Sequence, residues 1–240
     1  MRGRFDCKQI PVFINARDLT NPLRRLVAWL LEAGYAKIYI LDNASSYPPL
    51  LDFYGKISRD VTVIPLGVNA GKLAIWDLNI LGRFNVTGPY VWTDPDIVPI
   101  EECPANVLEF FWEVLQAFPN KAKVGFGLRI DDLPDHYRFK QKVIAWESQF
   151  WVQRVTPKLY DANIDTTFAL YRPGSGFDMS ALRSGFPYLA RHHPWYENSE
   201  RPSDDHMYYV EHAKPGLNNW SGGQLPERLD LAINERLASA

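Results

Sequence analysis

Asp94 and Asp96 stand on either side of Pro95 at the end of an apolar run, YVWTDPDIVP. Proline fixes its own φ and pushes the residue before it toward extended geometry, and in an extended chain residues i and i+2 point to one side. The two carboxylates are therefore aimed at one spot. Like charges so placed repel and hold protons more tightly unless a cation sits with them. Oxygen donors favour Mg²⁺ or Mn²⁺, ions that complete their shells with waters and substrate phosphates. Two solvated turn residues would give the same tripeptide, so the weight falls on the elements that deliver it.

Those elements read as alternating strands and helices. IPVFIN is a short buried strand, and LTNPLRRLVAWLLEAGY after it a helix in which Asn21 caps the free amides, Pro22 takes the first position and Gly34 follows the end. Leu23, Leu26, Val27, Leu30 and Leu31 recur at helical spacing. KIYILDNAS adds a strand over residues 38–41, and further strands are predicted over 61–66 and 90–93, with the loop GVNAGK and a helix around 73–81 between them. Pro104 opens another helix, stopped by Pro119, and the strand KVGFGLRI follows. This order predicts an α/β fold, with a mixed, mostly parallel sheet flanked by helices. Beyond Asp131 the pattern changes to DDLPDHY, a helix-like KQKVIAWESQFWVQRV, a strand over 167–171 and a polar, Pro-rich end. With no internal repeat, a single domain over 1–240 is expected.

Composition narrows the partners. A chain of 240 residues with 46% hydrophobic and 22% charged residues and a net charge of -2 has no basic excess that would favour nucleic acid. The eight Trp suit either a generous core or surfaces on which sugar rings stack. Cys7 and Cys103 fall in no C-x-x-C or zinc spacing, so neither a disulfide framework nor structural zinc is expected, and a reducing compartment fits. Without a signal-type apolar region or a spanning stretch, the expected location is cytoplasmic, with peripheral attachment to a membrane left open.

In open α/β sheets ligands settle outside the carboxyl ends of the strands. Three polar sets fall there: Asn15-Ala16-Arg17, Asp42-Asn43 and Thr93-Asp94-Pro95-Asp96. In the loop NAGK, Gly71 lets backbone approach a ligand, Asn69 offers an amide and Lys72 a charge for phosphate.

The succession PVFINARDLTNPLRRLVAWLLEAGYAKIYILDNASSYPPLLDFY, LGVNAGKLAIW and VWTDPDIVP resembles glycosyltransferases of the GT-A fold, similar to the family-2-like enzymes that build polysaccharide or glycan chains. The match covers roughly the first hundred residues. The resemblance implies a nucleotide-sugar-binding half over about 1–100 and an acceptor and catalytic half over about 101–240. It implies a nucleoside-diphosphate sugar donor, with uridine the favoured base. Base and ribose would lie near Asn15, Arg17, Asp42 and Asn43, and the diphosphate on a metal held by Asp94 and Asp96. Lys72 departs from related loops, where an aromatic residue or His is frequent.

Relatives of this kind draw a third metal ligand and an acceptor-activating carboxylate from the second half. In ARHHPWYENSE, His193 is the candidate ligand ahead of His192, Arg191 a phosphate partner and Trp195 a sugar-stacking ring. For inverting transfer the favoured base is Asp165, then Asp132, with Asp131, Glu147 and Asp205 behind them. Glu147 reads as a buried hydrogen-bonding or ion-paired residue. The alternatives are a haloacid-dehalogenase-type phosphatase using D-x-D and the acidic pair Asp204–Asp205, a non-catalytic sugar-binding module, and a nucleotidyltransferase. Chain order argues against the first, and the lack of glycine in NARDLTNP against the last.

Overall fold

Val12, Phe13 and Ile14 are all fully buried, so strand β1 (Val12–Ala16) carries protein on both faces, as a strand inside a parallel layer must. In the computed structural model, which describes residues 5–213, 220–222 and 224–238, β1 lies between β2 (Ile38–Asp42) and β4 (Tyr90–Thr93), with β3 (Thr62–Pro65) beyond β2, all parallel. A second parallel pair is formed by β6 (Lys123–Leu128) and β10 (Ala181–His192). Between the two groups β9 (Ala169–Tyr171) runs antiparallel to both β4 and β6, and so welds the halves into one sheet. Three short strands, β5 (Ile97–Pro99), β7 (Arg154–Thr156) and β8 (Leu159–Asp161), complete the far side in antiparallel pairings, giving the order β3-β2-β1-β4-β9-β6-β10-β8-β7 with β5 on β10. This is the mixed α/β single-domain architecture expected, with its central sheet largely parallel.

Helices α1 (Asn21–Glu32), α2 (Pro48–Ile57) and α5 (Val107–Ala117) contribute to the core on the face of Val12 and Ile14, while Phe13 points to the opposite cluster with Leu41, Tyr90 and Trp92. Helix α1 buries Leu23, Leu26, Val27 and Leu30, and Leu31 sits at the margin, 37% exposed. Gly34 takes φ 81°, as the residue past a helix end often does. No helix among the described residues is long and apolar enough to cross a membrane.

Several boundaries differ from those read in the sequence. The helix around 73–81 is two short turns, α3 (Ala74–Asp77) and α4 (Ile80–Arg83), divided where Asn79 adopts φ 50°. Helix α5 starts at Val107, three residues after Pro104. The long helix expected over KQKVIAWESQFWVQRV stops early: α6 (Lys140–Glu147) passes into a 3-10 turn at Ser148–Trp151 and then into β7. The strand over 167–171 is confined to Ala169–Tyr171. The segment around Arg191 and His192 is the end of the twelve-residue β10 rather than a loop. Gly185, Pro187 and a register shift between Ser184 and Leu189 break the alternation that would have revealed it.

The start of α1 is built from far away. Asn21 is the first helical residue, and the preceding Thr20 makes no side-chain cap. The carboxylate of Asp205, on α7 (Asp204–His212), accepts from the amides of Thr20 at 2.7 Å and Asn21 at 3.0 Å. Buried in this role, Asp205 is available neither as an acceptor-activating base nor to the acidic pair of the phosphatase reading. Helix caps are worth up to about 2 kcal/mol, and bonds to charged groups lie at the upper end of side-chain contributions. Asp205→Ala is therefore expected to lower unfolding free energy by about 2 kcal/mol, read as a lower urea midpoint at unchanged slope.

Candidate active site

Register brings the predicted strand ends together. Ile14 pairs with Thr93 and Ala16 with Asp42, so Asn15, Asn43 and Asp94 emerge along one edge of the sheet. They open onto a cavity of about 400 Å³, within the usual size range of small-ligand sites. Arg17, Asn69, Gly71 and Lys72 line it from the first half of the chain, Asp165, Glu147, Arg183 and His192 from the second. Asp42 lies outside: its carboxylate accepts from the Tyr54 hydroxyl at 3.0 Å and the Ser45 amide at 3.2 Å. Of the Asp42-Asn43 pair it is Asn43 that faces the cavity, which corrects the placement of Asp42.

Asp94 and Asp96 both line the cavity, as the i, i+2 geometry requires. Thr166 Oγ1 donates to Asp94 Oδ2 at 2.6 Å, the Asp94 amide donates to the Thr166 carbonyl at 3.2 Å, and Thr93 Oγ1 donates to the Asp94 carbonyl at 2.8 Å. Burial and then the charge of Asp96 push the Asp94 carboxyl well above the usual carboxylate range, against the Thr166 bond and the charge of Lys72. One oxygen of Asp96 is buried without a hydrogen-bond partner, and so is Nδ1 of His192. An orphaned carboxylate oxygen beside a second carboxylate fits a divalent cation that takes its remaining ligands from water and phosphate. Among the described residues no three or more His, Cys, Asp or Glu side chains gather in a way that could hold a metal ion, so a cation here would depend on ligands from water and phosphate.

The imidazole beside Asp96 is that of His192, whose Nε2 lies 3.5 Å from Asp96 Oδ2. It ends β10 opposite Ile97. His193, the residue singled out in the sequence, reaches Asp96 only through its backbone amide, which donates to the Asp96 carbonyl at 2.9 Å. Burial lowers its imidazole to about 4.

Asp165 is exposed and lines the cavity, with its Oδ1 accepting from Thr167 Oγ1 at 3.3 Å. Beneath it lies Lys123, fully buried, whose Nζ donates to the Asp165 carbonyl at 2.7 Å and the Tyr171 hydroxyl at 2.9 Å. Burial lowers this ammonium to about 8, with the charges of Asp165 and Asp178 opposing. Nothing in the sequence marks Lys123, because a lysine opening a strand reads as solvent-exposed. Equally silent was the partner of Glu147: Arg183 Nη1 donates to Glu147 Oε2 at 2.7 Å, its Nε donates to the Asn163 carbonyl at 2.9 Å, and its guanidinium stacks 3.8 Å from the Phe150 ring centre. Burial pushes the Glu147 carboxyl up while Arg183 pulls it down.

Asp132 and Arg191, expected at the site, instead bind each other away from the cavity lining. Arg191 donates to Asp132 Oδ2 through Nε at 2.9 Å and Nη2 at 2.8 Å, and to Glu101 through Nη1. Tyr196 donates to Asp132 Oδ1 at 2.5 Å. The Tyr196 and Arg191 bonds and the positive charges of Arg191 and Arg129 outweigh burial and hold Asp132 below the ordinary carboxylate range. Asp131 is paired with Arg129 at 2.9 Å. Trp195 does line the cavity but is almost wholly buried, so little of its ring is offered to a sugar. Tyr209, unsuspected in the sequence, reaches the same cavity from α7.

No family model and no curated protein matches the chain. Among solved structures it is similar to the mannosyltransferase PcManGT from Pyrobaculum calidifontis, determined in complex with GDP-Man and Mn²⁺. The identity is 14% over 96% of this chain and 69% of that one, with a TM-score of 0.51. S. aureus TarS 1-349 aligns at 11% identity over 68% of this chain and 47% of that one, with a TM-score of 0.43. The first likeness establishes the GT-A-like fold; function rests on the site.

Proposed function

We propose that this protein is a metal-dependent glycosyltransferase of the GT-A, family-2-like kind. It would move a sugar from a nucleoside-diphosphate sugar to a glycan or polysaccharide acceptor with inversion. The observation that carries the reading is the convergence of Asp94 and Asp96 at the carboxyl end of β4, one buried carboxylate oxygen unpartnered, in a cavity that also receives Asp165. The neighbour solved with GDP-Man and Mn²⁺ lends the same fold to the same kind of ligand.

Asp94, Asp96 and, beside them, His192 would hold Mn²⁺ or Mg²⁺. When bound, the ion supplies positive charge to the departing diphosphate. The chain's own groups do the rest. Lys72 brings a cation to the phosphates and Arg17, bonded to the Asn43 carbonyl, one to the nucleoside end, while Gly71, at φ 79°, takes a backbone conformation that side chains rarely adopt and leaves room for close approach. The nucleoside lies over Asn15, Asn43 and Asn69. Asp165 accepts the proton of the attacking hydroxyl as the new bond forms, its peptide held in place by Lys123. Trp195 and Tyr209 wall the cavity against water, which would hydrolyse the donor.

Thermal unfolding with a panel of nucleoside diphosphates and Mn²⁺ tests this reading. A nucleotide at about 100 times its Kd is expected to stabilise the folded state by about 2.7 kcal/mol, with EDTA abolishing the gain. No response to any nucleoside diphosphate in the presence of Mn²⁺, or a response indifferent to EDTA, would remove the metal-dependent transferase from consideration.

A further inference from the structure

We infer that the nucleoside end of the cavity reads a base edge carrying two adjacent hydrogen-bond acceptors and discriminates against uracil. The O2/N3 edge of cytosine and the O6/N7 edge of guanine both have that chemistry. The inference rests on the nucleotide-sugar reading above and departs from the uridine expected by resemblance.

Three side-chain amides at this end, those of Asn43, Asn15 and Asn69, each face a defined way. Oxygen and nitrogen of an Asn amide are told apart by their partners, and here a backbone group fixes the first of them. The amide of Ala70 donates to Asn43 Oδ1 at 3.0 Å. A peptide N–H can only donate, so the other terminus of Asn43 is its NH₂. That NH₂ donates to Asn15 at 2.5 Å, and the atom receiving it is Oδ1. The Asn15 oxygen is thereby turned into the protein and its Nδ2 is left as the group it offers. The same logic holds for Asn69, whose Oδ1 accepts from the Gly71 amide at 3.1 Å. Asn15 and Asn69 both line the cavity, and neither Nδ2 has a partner among the described residues or is sealed from solvent.

The carboxylates of Asp18 and Asp42, beside this end, do not line the cavity. Each Asp42 oxygen takes one bond within the protein, from Tyr54 and from the Ser45 amide. Asp18 is fully buried: its Oδ1 accepts from the amides of Ser46 at 2.6 Å and Tyr47 at 2.9 Å, and its Oδ2, 3.6 Å from Arg17 Nε, is sealed from solvent without a hydrogen-bond partner and so is not offered to a base. The Asn43 carbonyl takes Nη1 of Arg17 at 2.8 Å. Side chains here therefore present donors: two amide NH₂ groups, a guanidinium and, farther along, the Lys72 ammonium. Uracil places its N3–H between O2 and O4 and would bury that donor without an acceptor, a loss that costs about tenfold or more in affinity. Adenine sets an amino donor beside a single acceptor on either exposed edge and is disfavoured for the same reason.

Titration of CDP, GDP, UDP and ADP into the Mn²⁺-loaded protein by calorimetry tests the inference. CDP or GDP is expected to bind about tenfold or more tighter than UDP, and comparison of those two arms identifies the base. Asn15→Asp puts an oxygen where Nδ2 stood while its other oxygen keeps the bond from Asn43. It is expected to lower the preference over UDP by at least about tenfold; Asn69→Asp, on the loop, should move the preference the same way. UDP as the tightest wild-type ligand, or a preference unchanged in both variants, overturns the inference and leaves the transferase reading standing. Binding of none of the four overturns both.

Discussion

Asp94→Asn is expected to abolish metal-stimulated transfer and, in the same protein freed of metal, to raise the melting temperature. Loss of an outer-shell partner alone lowers metal affinity or activity by about 10–100-fold, so removing Asp94 as the ligand proposed above should cost more than about 100-fold in turnover. The stability arm has the opposite sign. Burial and the neighbouring Asp96 raise the folded-state pKa of Asp94, so between the ordinary carboxylate value, about 3.9, and that raised value the folded protein binds more protons than the unfolded chain. Stability therefore falls as pH rises through the window. Above the ordinary carboxylate value the wild type must on folding either keep a disfavoured charge or take up a proton, a cost that asparagine lacks, and below about pH 4 the difference should fade. Melting curves in EDTA across this pH range check the sign, and added Mn²⁺ should lift the wild type alone. A variant that is no more stable without metal, or that still responds to Mn²⁺, would show that the Asp94 carboxylate is not poised for a cation.

The second large effect is at Asp165. A general base typically contributes about 10²–10⁴-fold, so Asp165→Asn is expected to reduce kcat for transfer by that range while leaving nucleotide affinity unchanged. The frame should survive the change, because the segment is held through its carbonyl by Lys123 and through Thr166 by Asp94, and the one bond to the carboxylate, from Thr167 at 3.3 Å, can be accepted by the Asn oxygen. The competing acids are already occupied, Asp132 by Arg191 and Tyr196 and Glu147 by Arg183. Steady-state kinetics with separate measurement of nucleotide binding distinguishes the outcomes: equal loss of binding and rate would make Asp165 a structural residue, and an unaltered rate would point to a transfer that needs no base.

What could be read from the sequence was local. The D-x-D geometry follows from three consecutive residues and a proline, and the ends of β1, β2 and β4 from short apolar runs closed by polar residues. Elements fixed by distant partners were not legible. Asp205 caps a helix 185 positions away, Glu147 meets Arg183 across 36, and Lys123 meets the Asp165 carbonyl across 42; no periodicity announces any of them. His192 was passed over for His193 because β10 was hidden by its irregular register, and strand parity decides which imidazole turns toward Asp96. Of the Asp42-Asn43 pair named in the sequence only Asn43 lines the cavity, because Asp42 belongs to β2 itself and the turn that presents Asn43 begins just beyond.

The cap on α1 also bears on how the chain comes off the ribosome. At about 5–20 residues per second, the 185 positions separating Asp205 from Thr20 take roughly 10–40 s to translate. For that interval the leading amides of the first helix emerge with only water to satisfy them. The nascent first half thus waits for a late-made carboxylate before its opening turn is locked.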